Sequence, residues 1–487
     1  MLKYLLPLLL AGCSHIAKIH VDQVTHKPIT NTNSIIQPER KASSFGDRLS
    51  EMLPKKKMGI MAASCPAPVS SITAANGAVY TFAQPTVCVK SIMGEPICKA
   101  GFTLTSISPA YANGRNGYML NIPINPQQQR MDDRAGGYPP FAAPQALPIT
   151  FANVGDALVH VISHDPAGKT YFDGQGMATF VASASVLTAD TEARICGADS
   201  LGAVSTLMRR APWGDKTLAY DIKDFLGILP IPTFVRAPTL DPELTHYYSG
   251  SVGMQAWTNW NVRYLVPADK HMDYGNYRAD RQGDRMLAVL QDLPFEHRLP
   301  ILLGLAQDAI DTGAAYLGGA VWPSNGGHNH GPHYAMIKFL GWLTQDDRFK
   351  FRGPIGTPRV GEQHHFSYGT NYYVPSHTVI YKGFDEPSPA PKPVSQYTEA
   401  DKRQISYMLC CGTMHTQSGY IALKILGQMD PVNSATDKII MDWVKQWREP
   451  YSENWNNALA SVGASTMPGW WGVNQSMANF FWPYFGW

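Results

Sequence analysis

The period of the hydrophobic pattern changes near residue 200, and this change constrains the fold more than any other feature of the sequence. Between residues 61 and 190, short runs rich in Val, Ile, Thr, Phe and Tyr are separated by Gly, Pro, Asn and Asp. Such runs, bounded by turn residues, are typical of strands. Further along the chain, apolar residues recur at i, i+4 and i+8, which is the period of a buried helix face. The sequence therefore predicts a strand-rich part followed by a helical part.

Five helical stripes follow the change of period, and loops that contain Gly and Pro separate them. They lie at residues 285–292, 299–317, 335–343, 421–429 and 439–447. Each stripe is wide enough to bury one helix face, as in stacked helical hairpins. We predict a multidomain α+β protein with a β-sandwich-like domain over 61–190. An α/α toroid, an incomplete barrel of helical hairpins, is predicted over 191–487, and an irregular helical domain is the alternative.

The first thirteen residues have the order of a bacterial export signal. Lys3 precedes a short apolar run that ends in Leu10-Ala11-Gly12-Cys13, which resembles a lipoprotein signal with Cys13 as the lipidated residue. The run is shorter than the about 20 apolar residues that span a bilayer. Residues 14–60 are polar and predict a tether. We expect an exported lipoprotein, held at the bacterial membrane by a lipid anchor and facing the periplasm or the cell surface, or a secreted protein. A buried, uncleaved N-terminal segment is the alternative.

Charge excludes one class of partner and leaves another open. The 40 basic and 38 acidic side chains give a net charge of +2, so the chain lacks the basic surface that nucleic acid requires. The 12 Trp and 23 Tyr residues suit either stacking on sugar rings or a large core.

The number of cysteines is consistent with an exported protein, as the N-terminal signal is. Six remain after Cys13, and an even number permits disulfides in an exported protein. Cys88 and Cys98 flank a short segment and are placed to close a hairpin.

Residues 322–334 hold the densest group of chemically active side chains, directly before the 335–343 stripe. Three of the 15 histidines, His328, His330 and His333, lie within six residues of one another. Two further clusters, at 364–377 and 407–415, combine His with Tyr or Cys. All three lie at junctions of loops and helices, where scaffolds commonly place working residues.

One of these segments resembles a known family. Asn329-His330-Gly331 and the apolar helix that follows, which ends in Gly341-Trp342-Leu343, resemble the Asn-His segment of α/α-toroid polysaccharide lyases of the alginate lyase and heparinase II/III type. A wider pattern, which includes residues 307–311 and 422–427, is similar to uncharacterised bacterial proteins related to those lyases. The resemblance covers roughly residues 200–460. Gly331-Pro332-His333 departs from the Gly-Arg-Lys of those relatives and puts a basic substrate contact in doubt.

The resemblance implies β-elimination on an acidic, uronate-containing polysaccharide. This reaction removes the proton next to a carboxylate, so the enzyme must neutralise the carboxylate and supply a base and an acid. The resemblance makes Asn329 the neutralising residue and His330 the base. Tyr368 is our choice for the acid, and the sequence does not separate it from Tyr334, Tyr372 and Tyr373. Other side chains of the clusters are expected to bind substrate: His328, His333, Trp322, His365 and Tyr372.

Three alternatives stay open. No cofactor is predicted, but His328, His330 and His333 suit a divalent metal, which is structural or serves a metal-dependent hydrolase. Asp308 and Asp311, or Glu362, are candidate carboxylates for a glycoside hydrolase, which needs no sequence motif. A non-catalytic carbohydrate-binding protein, or a structural protein of a cell surface or virion, needs only an aromatic cleft on the same scaffold.

Overall fold

The structure is a computed structural model, and it describes residues within 65–120, 147–183, 205–225, 275–320, 333–351, 366–381, 396–398 and 417–448, with short gaps inside several of these ranges. The predicted signal at 1–13 and the predicted tether at 14–60 lie outside the described residues. Among the helices that the structure describes, none is both long and apolar enough to span a bilayer.

The described strands of the first part form two sheets. The strands are β1 (Val69–Thr73), β2 (Val79–Thr86), β3 (Cys88–Lys90), β4 (Pro96–Lys99), β5 (Phe102–Ser108), β6 (Tyr118–Leu120), β7 (Ile149–Phe151), β8 (Leu158–His164) and β9 (Gln175–Ser183). One sheet has the order β1-β2-β5-β7 and the other the order β3-β4-β9-β8-β6. The pairs are antiparallel except β4 with β9, which is parallel.

The two sheets share one aromatic core. Phe180 of β9 lies with its ring centre 5.4–6.0 Å from four rings of the first sheet, which belong to Tyr80, Phe82, Phe102 and Phe151. All five side chains are buried. Tyr80 and Phe82 lie two residues apart on β2 and therefore point to the same face of the pleat. The alternation of apolar residues along β2 thus supplies the surface on which the second sheet packs.

Two hairpins show how local sequence sets the strand register. Gly77 turns the chain between β1 and β2 with a φ of 84°, a conformation that glycine adopts without strain. The β3–β4 hairpin pairs Cys88 with Cys98, and a disulfide joins them. The spacing of the two cysteines allows this link, and the structure contains it.

The described helices lie in the second part of the chain, together with one short hairpin. They are α1 (Gly275–Val289), α2 (Phe295–Leu317), α3 (His333–Thr344), α4 (Gln417–Ile425) and α5 (Ala435–Arg448). α1 packs against α2 and α4, α3 packs against α2 and α4, and α4 also contacts α5. Strands β10 (Phe366–Tyr368) and β11 (Val379–Tyr381) form an antiparallel pair that packs on α5. Both sheets and helices are therefore present, and the toroid and the sandwich stay predictions.

Contact between α1 and α4 depends on a glycine. A Cβ at Gly283 would lie 2.6 Å from the backbone nitrogen of Gly419 and 2.7 Å from Cβ of Ser418. Real side chains do not approach so closely, so the two helices meet at backbone distance only because Gly283 has no side chain.

Candidate functional site

The predicted site residues divide into those that the structure describes and those that it does not. Tyr368, Tyr334 and His333 are described. The remaining predicted residues lie outside the described part of the chain, and their roles stay predictions; they are Asn329, His330, His328, Trp322, His365, Tyr372 and Cys13.

Tyr368 lies at the end of β10 with 56% of its surface exposed. Its hydroxyl donates to Oδ2 of Asp442 over 2.7 Å and accepts a hydrogen bond from Nζ of Lys438 over 3.0 Å. Lys438 also donates to Asp442 over 2.6 Å, and its Nζ lies 5.3 Å from the centre of the tyrosine ring. We call these three residues the Tyr368 cluster.

The β10–β11 hairpin and α5 hold this cluster together. Gln446 of α5 donates to the backbone oxygen of Val379 over 2.6 Å and accepts from its backbone nitrogen over 3.0 Å. The ring of Phe366 lies 5.0 Å from the ring of Trp443, which is fully buried. Lys438 and Asp442 are one helical turn apart on α5 and therefore share a face. The hairpin lays Tyr368 across that face.

The charges of the cluster favour a lysine that stays protonated. Hydrogen bonds to Asp442 and to Tyr368 raise the pKa of Lys438. Lys438 is 54% exposed, so solvent and salt screen its ion pair with Asp442 and limit what the pair adds to folding. The chemical character of the cluster is therefore more informative than its stability: the hydroxyl of an exposed tyrosine is held between an ammonium group and a carboxylate.

Tyr334 lies in a different environment, at the start of α3. Its side chain is buried, its ring is stacked on Phe351 with the ring centres 5.1 Å apart, and its hydroxyl donates to Oδ1 of Asp437 over 2.6 Å. His333, one residue earlier, is also buried. These two side chains lie inside the helix packing, whereas Tyr368 faces solvent. Of the two described candidates for the acid, Tyr368 is exposed and Tyr334 is buried.

Asp437 is the centre of a buried cluster. Its Oδ2 accepts hydrogen bonds from Nζ of Lys338 over 2.5 Å and from the backbone nitrogen of Asp430 over 2.9 Å, while Oδ1 accepts from Tyr334. Burial lowers the pKa of Lys338, and the charge of Asp437 opposes this effect. The arrangement joins α3 to α5.

A buried ionic network, which the sequence did not reveal, surrounds Asp308 and Asp311 on α2. Arg209 donates through Nη1 and Nη2 to the two oxygens of Asp311 over 3.2 and 2.6 Å, and Gln307 donates to the same carboxylate over 3.0 Å. Arg285 of α1 donates to Oδ2 of Asp308 over 2.8 Å. All five side chains are buried. The sequence signals were the spacing of Asp308 and Asp311, which places both on one side of a helix, and the place of residues 307–311 in the wider resemblance.

The network has consequences for both carboxylates. Burial raises the pKa of Asp311 to about 6, although Arg209 and Gln307 act in the opposite direction. A glycoside hydrolase needs two carboxyl groups that flank the bond to be cleaved. Asp308 and Asp311 are instead enclosed between helices, each in contact with an arginine. Their placement favours a structural role.

Metal binding finds no support in the described part of the chain. Within it, no group of three or more His, Cys, Asp or Glu side chains is arranged to hold an ion. Of the three histidines proposed as ligands, only His333 belongs to the described residues. The divalent metal therefore stays an alternative.

Comparison with known proteins assigns no family: no family model, no curated protein and no solved structure matches this chain.

Proposed function

We propose that this protein is an exported lyase that cleaves an acidic, uronate-containing polysaccharide by β-elimination. The observation that carries the proposal is the Tyr368 cluster. The reaction needs an acid that protonates the departing glycosidic oxygen, and the acid must reach the polymer. Tyr368 is exposed, and its hydroxyl is held by Lys438 and Asp442.

The proposed roles balance the reaction. The side-chain amide of Asn329 donates hydrogen bonds to the sugar carboxylate and stabilises the charge that develops there. His330 takes the proton next to the carboxylate, since a neutral imidazole is a suitable base near neutral pH. The C–O bond to the leaving sugar breaks as a C=C bond forms, and the proton of Tyr368 goes to the leaving oxygen. Water then restores the proton of Tyr368 and takes the proton of His330.

Export through the lipoprotein signal is part of the proposal. The Cys88–Cys98 disulfide and the disulfide-bonded Cys65 support an oxidising compartment, where such links persist. A lipid on Cys13 would hold the protein at the bacterial membrane, and a cleaved signal without a lipid would release it. Mass spectrometry of the protein from its host tests this, and an intact, unmodified Met1 would refute the anchor.

The test of the proposed function is a search for the unsaturated product, followed by variants. We expect the purified protein to generate the ultraviolet absorbance of a C=C–carboxylate with one member of a panel of alginate, glycosaminoglycans and pectin. Tyr368→Phe and His330→Ala should each lower the rate by about 10²–10⁴-fold, the usual contribution of acid–base catalysis. Asn329→Ala should lower it by about 10²–10³-fold, as loss of one oxyanion donor does.

Tyr220→Phe is the matched control. Tyr220 also donates its hydroxyl to a carboxylate, that of Asp346, over 3.3 Å, but it is not part of the Tyr368 cluster. This variant should keep the full rate. If Tyr368→Phe also keeps the full rate, Tyr368 is not the acid. Binding of a polymer without any product would overturn the lyase and favour the non-catalytic carbohydrate-binding protein.

A further inference from the structure

Lys438 contacts Tyr368 in two ways. Its Nζ donates to the phenol oxygen over 3.0 Å and lies 5.3 Å from the centre of the ring. The same nitrogen contacts Oδ2 of Asp442 over 2.6 Å. One ammonium group therefore lies beside the oxygen whose proton the proposed reaction uses.

Among the described elements, the charged groups that face Tyr368 are Lys438 and Asp442, both on α5. Val379 and Ile380 of β11, which pairs with β10, are apolar. When Tyr368 loses its proton, its oxygen becomes negative. The carboxylate of Asp442 is also negative, and its Oδ2 lies 2.7 Å from the tyrosine oxygen while the tyrosine holds its proton. The two negative charges therefore repel each other once the proton has left. Lys438 is the described group of opposite sign that offsets this repulsion.

We propose that Lys438 stabilises the negative charge that Tyr368 acquires when it gives up its proton, and so acts on the reaction through Tyr368 as a positioning residue. This inference rests on the proposed function, in which Tyr368 is the acid. The role of Asp442 follows from it: the carboxylate fixes Lys438 one helical turn away and keeps it protonated, because their hydrogen bond raises the pKa of Lys438.

Loss of Lys438 should therefore change both the ionisation of Tyr368 and the rate of the reaction. Without Lys438, the charge of Asp442 remains beside the tyrosine oxygen, so the loss of the tyrosine proton becomes less favourable. The rate should fall by up to about tenfold, because an exposed charge pair contributes little in water. The alkaline limb of the pH–rate profile should move to higher pH.

The experiment measures the ionisation of Tyr368 directly in the full-length protein. Tyrosines carrying ¹³C at Cζ are titrated by NMR, and the signal that disappears in Tyr368→Phe is assigned to Tyr368. The titration midpoint of this signal should rise in Lys438→Met and return towards the original value in Lys438→Arg. Lys445→Met, which removes an exposed lysine from the same helix, is the matched control and should leave both midpoint and rate unchanged.

The outcomes separate the inference from the proposed function. An unchanged midpoint in Lys438→Met overturns the inference, even if the protein is an active lyase. A raised midpoint with a lowered rate supports it. A raised midpoint in a protein that forms no product from any polymer supports the coupling of Lys438 to Tyr368 and overturns the lyase.

Discussion

At the scale of single residues, Asp437 shows what holds the helical part together. Its carboxylate accepts from Tyr334, Lys338 and a backbone nitrogen, and its side chain and that of Lys338 are almost fully buried. Loss of one partner of such a pair leaves the other charge buried and uncompensated. The pair therefore matters less for the attraction it supplies than for the penalty that its loss would cause.

The first prediction concerns this pair. Asp437→Asn should lower the free energy of unfolding by about 3–5 kcal/mol, because the buried Lys338 would lose the charge of Asp437 that offsets its own. Denaturant unfolding followed by circular dichroism measures the change. Asp347→Asn is the matched control, since Asp347 is 83% exposed beside Lys350 and its pair should contribute at most about 1 kcal/mol. Equal losses in the two variants would contradict the prediction.

The second prediction concerns Asp311 and pH. Its pKa is raised from 3.8 to about 6, so the folded protein holds a proton there at pH values where the unfolded chain has released it. The contribution of Asp311 to stability is therefore fully present below pH 4 and is lost as pH rises to about 6. The free energy of unfolding should fall by on the order of 2–3 kcal/mol over this pH range.

Asp311→Asn provides the reference for that measurement. The stability of the original protein relative to this variant should decrease between pH 4 and pH 6 and stay constant above pH 7. A difference that increases with pH over this range would show that Arg209 outweighs burial and that Asp311 is stabilised in its charged form.

At the scale of elements, the contact of α1 with α4 is one in which two backbones come close together. Gly283→Ala would place a Cβ 2.6 Å from a backbone nitrogen, and backbone cannot move aside as a side chain can. We expect the free energy of unfolding to fall by about 1–3 kcal/mol, which is the usual cost of an overpacked core. Gly419→Ala changes the facing residue of α4. Its Cβ would lie 3.8 Å from Cα of Gly283 and 3.3 Å from the side chain of Ala335 of α3, so it should cost less. Equal effects would argue against close contact at Gly283.

Some elements follow from the sequence and others do not. The Cys88–Cys98 hairpin is predictable, because both register and disulfide depend on a few neighbouring residues. The parallel contact of β4 with β9 is not, since it joins residues that are distant in the chain. The β10–β11 hairpin was also missed, within a part expected to be helical, because strands of three residues show no period.

The burial of α3 shows the limit of hydrophobic patterns. An i, i+4 stripe predicts one buried face, but every residue from 333 to 343 is buried, and these include Lys338. A lysine in such a pattern would be assigned to the solvent side. Its buried position depends on its contact with Asp437, and the sequence pattern does not indicate that Lys338 and Asp437 are in contact.

At the scale of the whole molecule, the same limit applies to the candidate site. Tyr368 was selected for its chemistry, and the i, i+4 spacing of Lys438 and Asp442 indicates only that they share a helix face. Their contact with Tyr368 spans 70 and 74 residues of sequence. Such contacts depend on how elements pack and are not visible in local patterns.

The two parts of the chain meet at Arg209. Its guanidinium group binds Asp311 of α2, and its Nε lies 3.7 Å from the carboxylate of Glu95 in the turn between β3 and β4. The neighbouring segment adds a backbone hydrogen bond from Ser205 to Lys90 over 2.6 Å. One arginine thus links a hairpin that a disulfide closes to the core of the helical part.

The distance in sequence between Lys338 and Asp437 affects when α3 can pack during synthesis on the ribosome. Lys338 is made 99 residues before Asp437. At a synthesis rate of about 5–20 residues per second, the lysine waits roughly 5–20 s for its counter-ion. During that time its charge favours contact with water, so α3 should not reach its final packing. A chain that ends at Ser434 should leave the amides of α3 open to hydrogen exchange, and Lys338→Met in that shortened chain should slow the exchange. Full protection of α3 in the shortened chain would show that the helix settles before its partner is made.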